Sequence, residues 1–271
     1  MTLPTENGLK IFSKISGRLQ TQSLLSTVFR GQIPEATVIG GISVEFLFNA
    51  DVDYHKVLFD LIGRCTLAPA LGGLGQACVL LDTEATFSML EFGTFIDRYL
   101  AANQVPRREE MINKLLDSVY VVSARTVAEC ILGLLTIRDL LKRTPTISLL
   151  LIDSSSACFG PYLPRKDWIA SQAVFFDMLS HLTDHFSLSS VVCRLLASDQ
   201  EEKEAGEKLH QQLEAKSLAS LDSSITVFRP TLRMSFLKGD YGASCIPVRL
   251  HRDNSSAKDV IYHCLSSSLN C

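Results

Sequence analysis

An α/β fold with a doubly wound, mostly parallel sheet is the fold class this sequence predicts. Three observations predict it. Apolar runs of strand length recur, and they are continuous rather than alternating. Amphipathic stripes of helical spacing lie between them. The C-terminal third then turns to strand-like runs joined by turns. A strand covered on both faces has no solvent side to alternate with, so continuous runs separated by helices imply parallel strands with helices above and below. Right-handed crossovers follow from that order.

Residues 1–37 stand apart as an N-terminal arm. Leu9, Phe12, Ile15 and Leu19 have helical spacing, and Leu24, Leu25, Val28 and Phe29 have it again. A short arm cannot bury two such stripes within itself. They are expected to fold back on the core or to dock into a groove on a neighbour, which makes these eight residues partner-binding candidates. The core is expected over residues 38–271, with no internal repeat.

Its first strand is read at Val44–Phe48, followed by a helix whose stripe is Val57, Leu58, Leu61, Ile62 and Cys65. The second strand, Ala77–Leu81, precedes a helix marked by Met89, Phe92, Ile96 and Tyr99. Strands follow at Val119–Val122 and Ile147–Ile152, then a helix marked by Phe175, Phe176, Leu179, Leu182 and Phe186, then a strand at Ser190–Cys193. Residues 197–223 carry seven acidic residues against three lysines and read as a solvated helix or loop. "TLRMSFLKGDYGASCIPVRLHRD" predicts two strands around a turn at Gly239–Gly242, and "DVIYHCLSSSL" a last one. Together these predict an antiparallel C-terminal extension.

Bulk properties narrow the function classes. The chain is 46% hydrophobic and 20% charged over 271 residues, enough apolar content for a large core. A net charge of −3 gives no global basic field, so any nucleic-acid contact must be local. No apolar run reaches membrane-spanning length, and the N-terminus lacks signal-peptide order. None of the eight cysteines forms a CxxC pair, which predicts buried free thiols in a reducing compartment and no zinc site.

The junction "SVEFLFNADVDYHKVLF" then raises a question. A buried strand running through a short turn into a helix is where one large class of α/β proteins holds nucleotide phosphates. "VLLDTEATFSML" resembles the segment after the second core strand of RecA-type recombinases, and "SLLLIDSSSACF" resembles their Walker B strand. With "GGLGQACVLLDTEATFSMLEFGTFIDRYL" and "LIGRC", the chain is most similar to the eukaryotic recombinase paralogues that act as recombination mediators. The likeness runs from about Gly40 to the C-terminus. It implies a RecA-like core without the family's N-terminal helical DNA-binding domain.

Laid on that family, the phosphate loop is degenerate. The pattern G-x-x-x-x-G-K-[ST] works through close backbone approach at the glycines, a lysine on the β/γ-phosphates and a hydroxyl on Mg²⁺. Here Phe48 and Asp53 fall on the glycines, Tyr54 on the lysine and His55 on the hydroxyl residue. Lys56, two positions later, is a poor substitute. Asp53 is expected to cap a helix beginning at Tyr54, supplying the anion that a phosphate supplies elsewhere. Asp51 is an alternative for that part. Asp51, Asp53 and His55 have no identifiable further ligand, so a metal is not expected there. His181 and His185, four apart, read as an exposed helix face rather than a metal pair. No nucleotide cofactor is expected.

Two positions survive. The resemblance places Asp153 near the Mg²⁺ of active relatives and Glu84 on the water-activating glutamate. Without the cradle they are expected to serve structurally at the strand tips, with a weak nucleotide site as the alternative. Arg194 and Leu195 replace the residues that sense the γ-phosphate past the fifth strand. The resemblance puts the first DNA loop at "GPYLPRKDW", where Arg165 and Lys166 are candidates for phosphates and Trp168 for base stacking. The structural alternative is an exposed turn with Trp168 opening the next helix. The second DNA loop matches the acidic 197–223 segment, whose charge is wrong for a phosphate path.

The resemblance therefore implies a non-catalytic subunit in homologous-recombination repair. It would be nuclear, with the cytoplasm as alternative. It would pair with another recombinase paralogue, act on recombinase filaments, and touch single-stranded DNA weakly or only through the complex. A diverged DNA-dependent ATPase using Glu84 and Asp153, and a RecA-fold scaffold outside repair, are the competing readings.

Overall fold

A computed structural model describes residues 42–49, 52–159, 166–196, 232–236, 245–251 and 258–263. The arm residues Leu9 to Phe29, the acidic 197–223 stretch, Asp51 and Arg165 lie outside the described residues. So do the ends of the domain division.

Among the described residues eight strands form one sheet: β1 Ile42–Asn49, β2 Ala77–Asp82, β3 Val119–Ser123, β4 Ile147–Asp153, β5 Ser189–Leu196, β6 Leu232–Phe236, β7 Cys245–His251 and β8 Lys258–His263. The helices are α1 Tyr54–Thr66, α2 Met89–Ala102, α3 Arg108–Leu116, α4 Val127–Arg143, α5 Ser155–Phe159 and α6 Lys166–Phe186. The strand order is β3-β2-β4-β5-β1-β6-β7-β8. From β3 to β6 every pairing is parallel, which is the parallel α/β core that the apolar runs predict and is consistent with the RecA-like core that the resemblance implies. β7 and β8 pair antiparallel beyond it.

The continuous runs have a direct cause. Along β2, Cys78 and Leu80 enter one core with Val57, Leu61, Phe92 and Ile96. Val79 and Leu81 enter the other with Leu134, Ile137, Phe175 and Leu179. Alternate side chains thus meet α1 and α2 on one face and α4 and α6 on the other, and each is removed from water. Cys65, Cys78, Cys130 and Cys193 are buried free thiols, and burial pushes the Cys65 thiol up to about 12. They behave as small apolar residues.

Helix starts are set by local chemistry. The Ser88 hydroxyl accepts from the Glu91 amide at 3.2 Å at the start of α2. Thr126 and Glu129 form a reciprocal capping box at the start of α4. After α1 the chain doubles back tightly, with the Leu74 amide donating to the Arg64 carbonyl at 2.8 Å and the Gln76 amide to Cys65 at 2.9 Å. A Cβ at Gly73 would lie 2.1 Å from the Leu67 carbonyl oxygen, so only glycine fits that return.

β5 runs further than the apolar run suggested. Arg194 and Leu195 are strand residues, paired in register with Leu47 and Phe48 of β1, and do not lie past the strand. Arg194 is tolerated because the buried Glu45 on β1 receives its guanidinium at 3.5 Å. Among the described residues no helix is long and apolar enough to cross a membrane.

Candidate functional site

Phe48 lies near the C-terminal end of β1, Asp153 at that of β4, Glu84 just after β2, and Asp53 and Tyr54 at the start of α1. Phe48 is buried. It stacks on Phe236 of β6, its register partner, at 4.5 Å between ring centroids. A fully buried phenylalanine contributes roughly 2–3 kcal/mol of apolar burial. The Phe48 side chain is therefore part of the core.

Asp53 is the N-cap of α1, and its Oδ1 accepts from the Lys56 amide at 3.2 Å. Tyr54 is the first helical residue, as expected from the cap. Its ring stands 5.8 Å from Phe48 and 4.0 Å from His55. Burial holds that phenol well above the usual tyrosine range, and the carboxylates of Asp153 and Glu84 add to the effect. Tyr54 thus places a neutral phenol at the start of α1.

Asp82 and Asp153 are register partners at the tips of β2 and β4. Asp82 folds back on the chain after it: Oδ1 accepts from the Ala85 amide at 2.7 Å and Oδ2 from the Phe87 amide at 3.4 Å. Glu84 accepts a short hydrogen bond from the Ser154 hydroxyl. Thr83 Oγ1 donates to the Ser154 carbonyl at 2.6 Å. The Asp153–Ser154 peptide is cis. These bonds lock the two strand tips to each other.

Asp153 is the exception within this network. It is 0% exposed, and neither carboxyl oxygen has a hydrogen-bond partner. Burial first, then Glu84, then Asp82, push its pKa up to about 7. Buried Cys193 beside it is raised for the same reasons. Next to Glu84 lies an open polar depression lined by Thr83, Glu84, Ala85, Arg125, Ser156 and Ala157. Asp82, Glu84 and Asp153 gather acidic groups at these strand tips, and Arg125 lines the depression beside Glu84.

Of the other candidates, Arg165 and the arm residues lie outside the described residues. Lys166 and Trp168 belong to the first turn of α6 rather than to a loop; their side chains lie outside the described residues. His181 and His185 are exposed on α6 with rings stacked at 5.8 Å. Among the described residues no three His, Cys, Asp or Glu side chains converge as metal ligands. Sequence reasoning missed Asp82 and Ser154, the polar partners of the site. For Asp82 the alternation of acid and hydroxyl in "DTEATF" was the available signal.

No protein-family model matches the chain. Over 154 residues, 57% of its length, the chain is 25% identical to the DNA repair protein XRCC2 of Mus musculus. The match spans 53% of that protein, so the chain covers about half the length of this curated relative.

Proposed function

We propose that this chain is a non-catalytic, RecA-like subunit acting in homologous-recombination DNA repair. It pairs with another recombinase paralogue and helps to load, cap or remodel recombinase filaments on single-stranded DNA in the nucleus. The observation that supports this reading is Tyr54 as the first residue of α1, where the resemblance implies the phosphate-binding lysine, with a phenol whose pKa is raised by burial first and also by Asp153 and Glu84. The distant likeness to a DNA repair protein supports the repair setting. In this reading Leu9, Phe12, Ile15, Leu19, Leu24, Leu25, Val28 and Phe29 of the arm hold the partner. Arg165, Lys166 and Trp168 give weak, salt-sensitive DNA contact. The test is copurification of the tagged chain from cells. A recombinase paralogue should be recovered, and its yield should fall when Leu9, Phe12, Ile15 and Leu19 are changed to serine. Recovery of no recombinase or paralogue in any repeat would sink the repair reading.

Retention of Glu84 and Asp153 favours one alternative, a diverged ATPase. Calorimetric titration separates the two. Neither the wild-type chain nor Tyr54→Lys is expected to bind MgATP at physiological concentration, because Phe48 and Asp53 still occupy the glycine positions. Submillimolar binding that disappears in Asp153→Ala would decide for the ATPase.

A further inference from the structure

We propose that His181 and His185 on α6 form a two-histidine chelate for a borderline divalent transition cation, with Zn²⁺ as the representative. The spacing alone reads as an exposed helix face. The ring geometry adds what the spacing lacks. Two imidazoles one turn apart on a helix face can share a metal ion. Here both side chains are exposed, and their rings stand 5.8 Å apart at 20° to each other. Two rings bound to one ion through nitrogens at about 2 Å have centroids roughly 5–6 Å apart. The pair is therefore close to a ligating arrangement before any ion arrives.

Packing explains why the rings stand so. Phe175, Leu179 and Leu182 of α6 are buried in the core, which sets the rotation of the helix and turns positions 181 and 185 to solvent. The His185 ring meets the Phe186 ring edge-on at 4.8 Å, and Phe186 packs against that core. His185 is thus oriented by a neighbour that cannot turn freely, and His181 stacks on it. Among the described residues no hydrogen bond or ion pair occupies either imidazole. Local charge also favours a cation. Asp177 lies one turn before His181 and Asp184 directly before His185, both exposed. The last turn of α6 carries the negative end of the helix dipole. Imidazole nitrogens suit Zn²⁺, Ni²⁺ and Cu²⁺, whereas Mg²⁺ and Ca²⁺ prefer oxygen ligands. No third His, Cys, Asp or Glu converges among the described residues, so water completes the coordination and the site is open. β5 begins at Ser189, three residues after α6. The pair accordingly sits at the opposite edge of the sheet from Asp82, Glu84 and Asp153.

The test uses the full chain with neither nucleotide nor partner, so its outcome is separate from that of the repair reading. The probe is copper(II) iminodiacetate, a half-filled complex with two neighbouring positions open for imidazole, followed by electron paramagnetic resonance. Wild type should bind one equivalent with two protein nitrogens on the copper. It should bind at least about tenfold more tightly than His181→Ala or His185→Ala, a difference of about 1.4 kcal/mol. Changing both residues should cost little more than changing one, because a chelate needs both rings. Zn²⁺ should displace the probe from wild type one for one, and Mg²⁺ should not. Equal affinity of wild type and either single variant overturns the proposal, as do losses that simply add. Failure of Zn²⁺ to displace the probe overturns the choice of cation. Should an alanine variant not fold, His181→Gln and His185→Gln keep polar side chains at the surface, and undiminished binding by either one overturns the proposal equally.

Discussion

Asparagine in place of Asp153 is expected to stabilise the chain above neutral pH and to remove a fall in stability that the wild type shows between about pH 4 and pH 7. The carboxyl is fully buried, has no hydrogen-bond partner and faces Glu84 and Asp82. Its pKa stands at about 7 in the folded chain and at about 3.9 in an unfolded one. Between those values the folded state binds more protons than the unfolded state. Stability then decreases as pH rises, because its slope follows the protons bound by the unfolded state minus those bound by the folded one. The full benefit is present below the unfolded value and is lost as pH rises through the folded value. Three pKa units correspond to roughly 4 kcal/mol at most. Asparagine keeps the shape without the charge, so its stability curve should lack this component. Urea unfolding of both proteins at pH 5 and pH 8 reads the difference. If the two chains lose stability in parallel over that interval, Asp153 is ionised at no cost and the electrostatic account of the site is wrong.

That behaviour was not legible in the sequence, and the reason is physical. Asp153 was recognisable as the residue ending a buried strand, from the run "SLLLID" alone. Its isolation depends on where Asp82, Glu84 and Ser154 end up, and these come together through the β2–β4 register and the bonds across the tips. Arg194 makes the same point from the other side. A charged residue after three apolar ones reads as the end of a strand. Glu45, some 150 residues earlier in the chain, supplies the partner that lets β5 continue. By contrast, the Asp53 cap was legible because an N-cap is decided within four residues, by one carboxylate and the amides that follow. The parallel core was legible because burial on both faces leaves its mark on each strand separately. The helix α4 carries a comparable local mark, the capping box of Thr126 and Glu129 with a stripe at Cys130, Leu134, Ile137 and Leu141. The periodicity reading passed over it because α4 also exposes Leu132 and so blurs the stripe.

The second large effect is expected at Asp60, and it bears on how the site is held. Asp60 and Arg64 are one turn apart on α1, the helix that begins at Tyr54. Arg64 Nε donates to Asp60 Oδ2 at 2.9 Å, and the two side chains are 8% and 0% exposed. A surface pair of this spacing contributes only a few tenths of a kcal/mol. A buried one behaves differently when broken: truncating one partner strands the other charge in a medium of low dielectric, at a cost of about 3–5 kcal/mol. Asp60→Ala should therefore lower stability by that order. The double replacement Asp60→Leu with Arg64→Met should recover most of the loss, since it removes both charges and keeps the volume. The Arg64 carbonyl also receives the Leu74 amide, and Tyr99, whose pKa responds to both charges, donates its hydroxyl to the Leu71 carbonyl at 2.8 Å. The damage should accordingly spread into the turn around Gly73. Hydrogen exchange should show faster exchange at Leu74 and Gln76 in Asp60→Ala than in Asp153→Asn, which acts at the opposite end of α1. Equal stability of Asp60→Ala and wild type in denaturant would mean that water reaches the pair, and that α1 is held by its apolar face alone.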